Sequence, residues 1–275
     1  MKKIYFLLIL MIFLFSCYNR SKSCSYDVSE LGTINSIKEI KGKMFILNGT
    51  NSSIHLLDKG KTVSFRNIDV KGRDFLLDFC ISQDTVFWSN TYDKIFISLN
   101  SDIIDTIMID DPDKIEKRGE ELFITSRIPK KGFFSLRKIS LSSGKIISET
   151  FLNDEKITNA VFSKTSIKAD KDKIYLVNPI KNRLEIYNSE LDILSFTDLE
   201  QDYSYGNLFV TNEEVRIICE KNNSLFLCIS GFEKDPSFIN LNTSSENIDI
   251  VSSYVSLGSV YLYDFIRSEI IFLPL

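Results

Sequence analysis

The sequence is poor in the residue types that most often carry chemistry. Its 275 residues include one histidine, one tryptophan, five cysteines and five prolines. The single histidine, His55, cannot build a zinc site that needs several imidazoles. It falls in a predicted strand, and we interpret it as a structural residue with satisfied hydrogen bonds rather than as a general base. No G-x-S-x-G, H-E-x-x-H, P-loop or EF-hand pattern occurs, so the sequence does not indicate the reactions that those motifs serve.

Basic clusters and long apolar runs are missing as well. Lysine and arginine are spread along the chain, so nucleic-acid binding is not expected. The apolar run Ile4–Phe15 has 12 residues, whereas a membrane-spanning helix needs about 17–25. A short positive patch, Lys2-Lys3, precedes this run. That combination is typical of a secretory signal peptide.

The signal peptide ends on a cysteine. Leu14-Phe15-Ser16-Cys17 resembles the bacterial lipobox, with a branched apolar residue three places before the cysteine and a small residue just before it. The resemblance implies a signal peptide over 1–16, a diacylglycerol thioether on Cys17 that binds the membrane, and a lipidated tether over 17–24. The alternative is an ordinary signal peptide with a chance cysteine. Similar lipoproteins sent to the outer surface often carry an acidic run after the cysteine. None is present here, so we expect an anchor in the bacterial cell envelope, at the outer membrane and facing the periplasm.

One unit recurs six times in the remaining chain. Short runs rich in Ile, Val, Phe, Tyr and Leu alternate with turn residues, which is typical of strands. The template is "KIYLVNPIKNRLEIYNSELDIL", which we interpret as strand, loop, strand, turn and strand. Its copies start at Lys43, Thr85, Glu121, Lys173, Glu214 and Ser259. The Glu121 copy fits after about six residues are inserted in its loop, as repeats with loop insertions do.

Each copy is preceded by a further apolar stretch and a tight turn, so the full unit has four strands, a to d. Four-stranded units of about 40–50 residues are the signature of a β-propeller. The sequence therefore predicts one all-β domain over 25–275, a six-bladed β-propeller of four-stranded antiparallel blades. The last copy has no strand d. Because open sheet edges invite aggregation, we expect residues 25–31 to close that blade as its N-terminal strand.

Turn-forming residues recur where strand b ends. The positions are Asn48, Asn90, Ser126, Asn178, Cys219 and Asp264. We interpret the column as turn chemistry rather than as a ring of ligand contacts. Together with "IKNRLEIY", it resembles the NHL class of propeller, and the mature chain resembles the six-bladed, NHL/TolB-like propeller lipoproteins of Bacteroidetes. The resemblance is architectural and carries no catalytic residue across.

Four cysteines remain in the mature chain: Cys24, Cys80, Cys219 and Cys228. In the register of the template, Cys219 faces Ser224 and Cys228 faces Val215, so the two thiols cannot bridge. A two-residue turn at Asn223-Ser224 would instead place the two cysteines opposite each other. We predict free, buried thiols for this pair and leave the partners of the other two open.

The b–c loops and the d–a connections of a propeller share one face, here called the loop face, and loops on a rigid scaffold often carry function. The candidate loops are 49–53, 91–94, 127–133, 179–183, 220–224 and 265–269. They mix apolar and basic residues, which suggests a recognition surface for a protein or an anionic glycan; alternatively, these residues tuck under neighbouring loops. The candidate binding residues are Tyr92, Arg127, Lys130, Lys131, Phe133, Phe134, Ile180, Arg183, Phe265, Ile266 and Arg267.

The third blade has the one b–c connection that is lengthened relative to the template, "RIPKKGFF". We expect it to project furthest, with Phe133 and Phe134 as apolar anchors and Lys130 and Lys131 steering an anionic target. Alternatively, the two phenylalanines merely begin strand c.

The pattern favours a monomeric, membrane-tethered binding module that needs no cofactor. The rival hypothesis is a propeller hydrolase or lyase with a metal ion at the axis. Some six-bladed lactonases hold calcium there with acidic and amide side chains. A similar set could lie in strands a of this chain, for example around Glu39 or Asp78.

Overall fold

The computed structural model describes residues 24–58, 61–70, 75–128, 132–155, 165–211, 214–222, 224–231, 235–241, 250–255 and 258–275. Within these ranges, 24 strands form six four-stranded antiparallel sheets. No helix in the described part of the chain is long and apolar enough to cross a membrane. The signal peptide and Cys17 lie outside the described residues.

In chain order the strands are β1 (Cys24–Asp27), β2 (Ile34–Ile40), β3 (Lys43–Asn48), β4 (Ser53–Asp58), β5 (Lys61–Asn67), β6 (Leu76–Ser82), β7 (Thr85–Asn90), β8 (Lys94–Leu99), β9 (Asp102–Met108), β10 (Pro112–Arg118), β11 (Glu121–Ile128), β12 (Phe133–Ser140), β13 (Lys145–Phe151), β14 (Ser166–Asp170), β15 (Lys173–Asn178), β16 (Arg183–Tyr187), β17 (Ile193–Asp198), β18 (Ser204–Val210), β19 (Glu214–Lys221), β20 (Ser224–Gly231), β21 (Ser237–Asn240), β22 (Ile250–Val255), β23 (Ser259–Asp264) and β24 (Glu269–Pro274).

Blades 1 to 5 each take four consecutive strands, starting from β2, in the order a–b–c–d. Blade 6 takes β22, β23 and β24, and β1 adds its fourth strand. The six predicted starts of strand b coincide with the first residues of β3, β7, β11, β15, β19 and β23. The all-β, six-bladed propeller predicted from the repeat is therefore confirmed.

The N-terminal segment closes the ring. Strand β1 pairs antiparallel with β24, from Cys24 opposite Phe272 to Asp27 opposite Glu269. The strand is shorter than the seven-residue strand expected over 25–31, because Ser29–Leu31 forms a 3-10 turn. Leu31 is buried there in the core between blades 6 and 1. The prediction that the N-terminal segment closes the ring is confirmed. The C-terminal part of the segment, however, packs against the core instead of pairing as a strand.

The hydrophobic core is divided among the junctions between blades. The described residues form six clusters of buried side chains, and each draws mainly on two neighbouring blades. Trp88 in β7, for example, is fully buried between blades 1 and 2, and its indole N–H donates to Ser98 Oγ at 2.8 Å. A single blade exposes two apolar faces, so only the stacked ring buries them.

Candidate functional site

The b–c loops are organised by the polar residue that ends strand b. Asn90 Oδ1 accepts the backbone N–H groups of the loop that follows it, at 2.9–3.2 Å. Asn48, Asn178 and Asp264 accept loop N–H groups in the same way. These four side chains are buried, at 0% exposure. The turn interpretation is confirmed for them, because their oxygens are used by their own loops.

The three candidate arginines of the loop face are paired with local carboxylates. Arg127 donates to Asp111 at 2.6 Å, and Arg183 donates to Asp198 at 2.7 Å. Arg183 also lies over the Phe196 ring, 4.2 Å from its centroid. Arg267 lies 3.3 Å from the buried carboxylate of Asp264. The positive charge available to a glycan on this face is therefore smaller than the sequence suggests.

Among the described residues of the b–c loops, the exposed large apolar side chains lie on two blades. Tyr92 in blade 2 is 55% exposed, and Phe265 and Ile266 in blade 6 are 48% and 66% exposed. These blades flank blade 1, whose b–c loop, residues 49–52, is small and polar. Ile180, in the loop of blade 4, is half-buried.

Two b–c hairpins are lengthened, and not only the one in blade 3. In blade 3, two residue pairs continue past Ser126, ending with Ile128 opposite Phe133. In blade 5, the hairpin continues past Cys219 to Lys221 opposite Ser224. The expectation of a single long hairpin is wrong, because both hairpins gain two paired residues per strand beyond the common end.

Phe133 and Phe134 are the first residues of β12. The Phe133 ring lies 5.1 Å from that of Phe151, and Phe134 packs against the core between blades 3 and 4. Its backbone N–H donates to Asn153 Oδ1 at 2.8 Å. Both rings are half-buried and have structural partners. Lys130 and Lys131 lie outside the described residues.

The longer hairpin of blade 5 also corrects the cysteine register. Cys219 lies opposite Phe226, and Cys228 lies opposite Ile217. Neither pairing considered from the sequence occurs, because the turn falls between Lys221 and Ser224. All four cysteines of the described chain are free, and only Cys24 is exposed. The prediction of free, buried thiols at 219 and 228 is confirmed.

A cavity of about 320 Å³ occupies the axis of the ring. Strands a of all six blades line it, mainly through their C-terminal halves, and Lys41 of the first a–b turn borders it. The cavity therefore lies toward the face that carries the a–b and c–d turns, here called the turn face. One residue per strand a faces it at the same register, opposite the third residue of strand b. These residues are Lys38, Cys80, Glu116, Lys168, Phe209 and Tyr254.

β-Bulges set this register. Strands a of five blades each insert one extra residue near their start, as between Ile34 and Ser36 in β2. A bulge redirects the side chains that follow it. In β6 the bulge precedes Asp78, whose carboxylate is 1% exposed and accepts the Ser36 hydroxyl at 2.6 Å. The innermost strands are thus joined by polar contacts close to the axis.

A charged network joins the innermost strands of blades 1, 2 and 3 beside the axis. Lys38 Nζ donates to Asp78 Oδ2 at 2.8 Å, to the Ile115 carbonyl at 3.0 Å and to Glu116 Oε1 at 3.3 Å. Burial alone would lower the pKa of Lys38, but the carboxylates of Asp78 and Glu116 more than offset it, so the pKa lies above its usual value. Burial likewise opposes ionisation of Asp78, but Lys38 and Lys114 hold its pKa below the usual range. Both groups are therefore charged at neutral pH.

The surroundings of Cys80, His55 and Asp78 decide which catalytic or metal-binding roles these residues could have. Burial raises the pKa of the Cys80 thiol, so it is protonated and a poor nucleophile at neutral pH. His55 lies on strand c of blade 1, away from the cavity lining, and its ring contacts Ser53 Oγ at 2.9 Å. Asp78, considered above as a metal ligand, is ion-paired with Lys38. Among the described residues, no three His, Cys, Asp or Glu side chains are grouped to hold a metal ion.

Comparisons with known proteins identify the fold alone. No protein-family model matches the chain, and no curated protein matches it. Virginiamycin B lyase from Staphylococcus aureus superposes with a TM-score of 0.62 at 13% identity, covering 92% of this chain and 99% of that one. A catalytically inactive form of that lyase, with one histidine replaced by alanine and quinupristin present, gives 0.59 at the same identity and coverage. BamB from Moraxella catarrhalis gives 0.55 at 9% identity, covering 89% and 86%.

Proposed function

We propose that this protein is a lipid-anchored binding module of the bacterial cell envelope, and that it presents its loop face to a partner. The observation that carries the proposal is the exposure of Tyr92, Phe265 and Ile266 on this face. Exposed aromatic and large aliphatic groups on a rigid scaffold are typical of recognition surfaces. Because the arginines of the same face are ion-paired locally, a protein partner fits better than an anionic glycan.

The direction of β1 supports this orientation. Asp27, at its C-terminal end, pairs with Glu269 next to a b–c loop, whereas Cys24 pairs with Phe272 near the opposite end of β24. The tether joins β1 at Cys24, and the seven residues from Cys17 to Ser23 reach at most about 25 Å. A lipid on Cys17 therefore holds the end of blade 6 that lies away from the loop face, and leaves that face free for a partner.

The anchor is tested by replacing Cys17 with alanine. Mass spectrometry and membrane fractionation should show the acyl mass and normal membrane anchoring in the wild-type protein, and Cys17→Ala should lose both. Cys24→Ala is the matched control and should remain lipidated. A mature protein that keeps residues 1–16, or is cleaved elsewhere without lipid, would contradict the anchor.

The partner surface is tested by photo-crosslinking in cells. A photoreactive residue in place of Ile266 should give one predominant adduct, and the adduct should disappear when Phe265 is changed to aspartate. Leu194, 53% exposed on strand d of blade 4, is the matched control position and should give no such adduct. Equal adducts at 194 and 266, or none at 266, would place the partner elsewhere.

An enzymatic role is the second candidate, because the superposed structures include a lyase. The catalytically inactive form of that lyase lacks one histidine. The single histidine of this chain lies on strand c, outside the axial cavity. The binding role is therefore the better-supported one.

A further inference from the structure

The axial cavity has a charge that differs from that of the molecule. The chain as a whole has a formal net charge of −4. The cavity lining contains four lysines and two glutamates: Lys38, Lys41, Lys117, Lys168, Glu39 and Glu116. A concave site with an excess of one sign concentrates ligands of the opposite sign. The lining thus has two more lysines than glutamates, and the Asp78 carboxylate behind Lys38 offsets one of them, which leaves a small positive excess within an acidic protein.

The six residues at the common register divide the cavity into two halves. Blades 1, 3 and 4 contribute Lys38, Glu116 and Lys168, and blade 2 adds the neutral thiol of Cys80, whereas blades 5 and 6 contribute Phe209 and Tyr254. The charged side therefore meets an aromatic side across the axis. The volume of about 320 Å³ lies at the lower end of the range of roughly 300–1,000 Å³ that small-molecule sites occupy.

The two lysines of the charged half differ in what they can still bind. Lys38 uses its three donors on Asp78, Ile115 and Glu116, so it is a structural cation. Lys168 is 36% exposed, and within the described residues its one ionic partner is Glu116, at 3.4 Å. Charge-assisted N–H···O bonds are normally about 2.7–2.9 Å long. Glu116 thus holds Lys168 loosely, so the ammonium, which lines the cavity, can exchange this partner for another anion.

From these features we propose that the axial cavity binds a small amphiphilic carboxylate. Its anionic group would take the place of Glu116 on Lys168, and its apolar part would lie against Phe209 and Tyr254. Asn207 and Ser166 also line the cavity, but their side chains are already hydrogen-bonded, Asn207 to the Ser253 carbonyl and Ser166 to the Leu208 N–H. This site is separate from the loop face, so it stands or falls independently of the partner and the anchor proposed above.

The test measures binding of benzoate to the purified full-length protein by ligand-observed NMR, with protein-free buffer as the blank. Acetate supplies the anion without the ring, and benzyl alcohol supplies the ring without the anion. Benzoate should bind at least about tenfold more tightly than either, because only benzoate uses both halves of the cavity. No detectable benzoate binding, or equal binding of benzyl alcohol, would overturn the proposal.

Variants locate the site. Lys168→Met should weaken benzoate binding by about tenfold, because a buried ion pair is lost. Lys145→Met, which removes an exposed lysine on strand d of blade 3, should leave binding unchanged. Glu116→Gln should strengthen binding several-fold, since the competing carboxylate is gone; a merely structural role for Glu116 predicts a loss instead. If Glu116→Gln does not fold, Lys168→Met alone decides, and unchanged binding in that variant refutes the site.

Discussion

Asp78 and Lys38 illustrate how single residues hold the innermost strands in place. The carboxylate is 1% exposed and the ammonium side chain 16% exposed, and the pair joins the first two blades at 2.8 Å. Such a pair need not stabilise the fold more than an apolar pair would. Removing one partner, however, leaves the other charge buried and uncompensated.

Asp78→Asn should therefore lower the free energy of unfolding by about 3 kcal/mol. Chemical denaturation at neutral pH measures this loss. Asp154→Asn is the matched control: Asp154 pairs with Lys181 at 2.9 Å but is 83% exposed, so its loss should cost less than about 1 kcal/mol. Equal losses in the two variants would show that the buried axial pair contributes no more to stability than the exposed pair does.

The lowered pKa of Asp78 also predicts that the free energy of unfolding decreases at acid pH. The pKa of Asp78 is lower in the folded protein than its usual 3.8, because burial is outweighed by Lys38 and Lys114. Its contribution is present above pH 3.8 and is lost as the pH falls through the folded pKa. Burial raises the pKa of Asp113, so Asp113 changes stability with pH in the opposite direction to Asp78. The wild type should therefore be compared with Asp78→Asn, which removes the Asp78 contribution alone. The variant should lose less stability below pH 3.8; parallel profiles would contradict the assignment.

At the scale of strands and loops, Gly49 fixes the junction between blades 1 and 2. A Cβ at this position would meet the Asn35 amide and the Leu76 carbonyl oxygen, and these two groups are themselves hydrogen-bonded at 2.6 Å. The first b–c loop approaches the neighbouring strand a too closely for any side chain. A glycine here is required by space and not by its backbone angles.

Gly49→Ala should therefore destabilise the protein by about 1–3 kcal/mol, the usual cost of overpacking. Gly258→Ala is the matched control, because no atom of the described residues lies within 4 Å of its Cβ position. Thermal unfolding of the two variants measures the difference. A neutral Gly49→Ala would mean that the loop can move away from Leu76.

Much of this element-level structure follows from the sequence. The six strand b starts are predictable because each copy begins with the same apolar pattern after a tight turn. The hairpin of blade 5 is not predictable, because Glu220 and Lys221 suit a loop and an exposed strand equally well. The sequence also does not predict that Lys38, Glu116 and Lys168 meet at the cavity, for a different reason. Five strands a contain a bulge and β14 does not, so this column cannot be aligned before the bulges are known.

For the whole molecule, the ring depends on its N-terminal strand. Deleting residues 24–27 removes four residue pairs with β24 and bares the edge of the last blade. At about 1 kcal/mol per hydrogen bond, the loss should be roughly 2–4 kcal/mol, with aggregation at the exposed edge. Calorimetry and size-exclusion chromatography measure both effects. Deleting 18–21 is the control and should be silent; a monodisperse, equally stable protein without 24–27 would refute closure by β1.

One strand thus both closes the ring and receives the tether, which has a mechanical consequence. If Cys17 carries the lipid, any pull between the membrane and a bound partner enters the propeller at Cys24. Tension along β1 loads its four residue pairs with β24 in shear, so the pairs must break together rather than peel apart one by one. The ring would then withstand tension up to the strength of these pairs. Once they break, the ring is open, while the chain stays covalently attached to the lipid through β1.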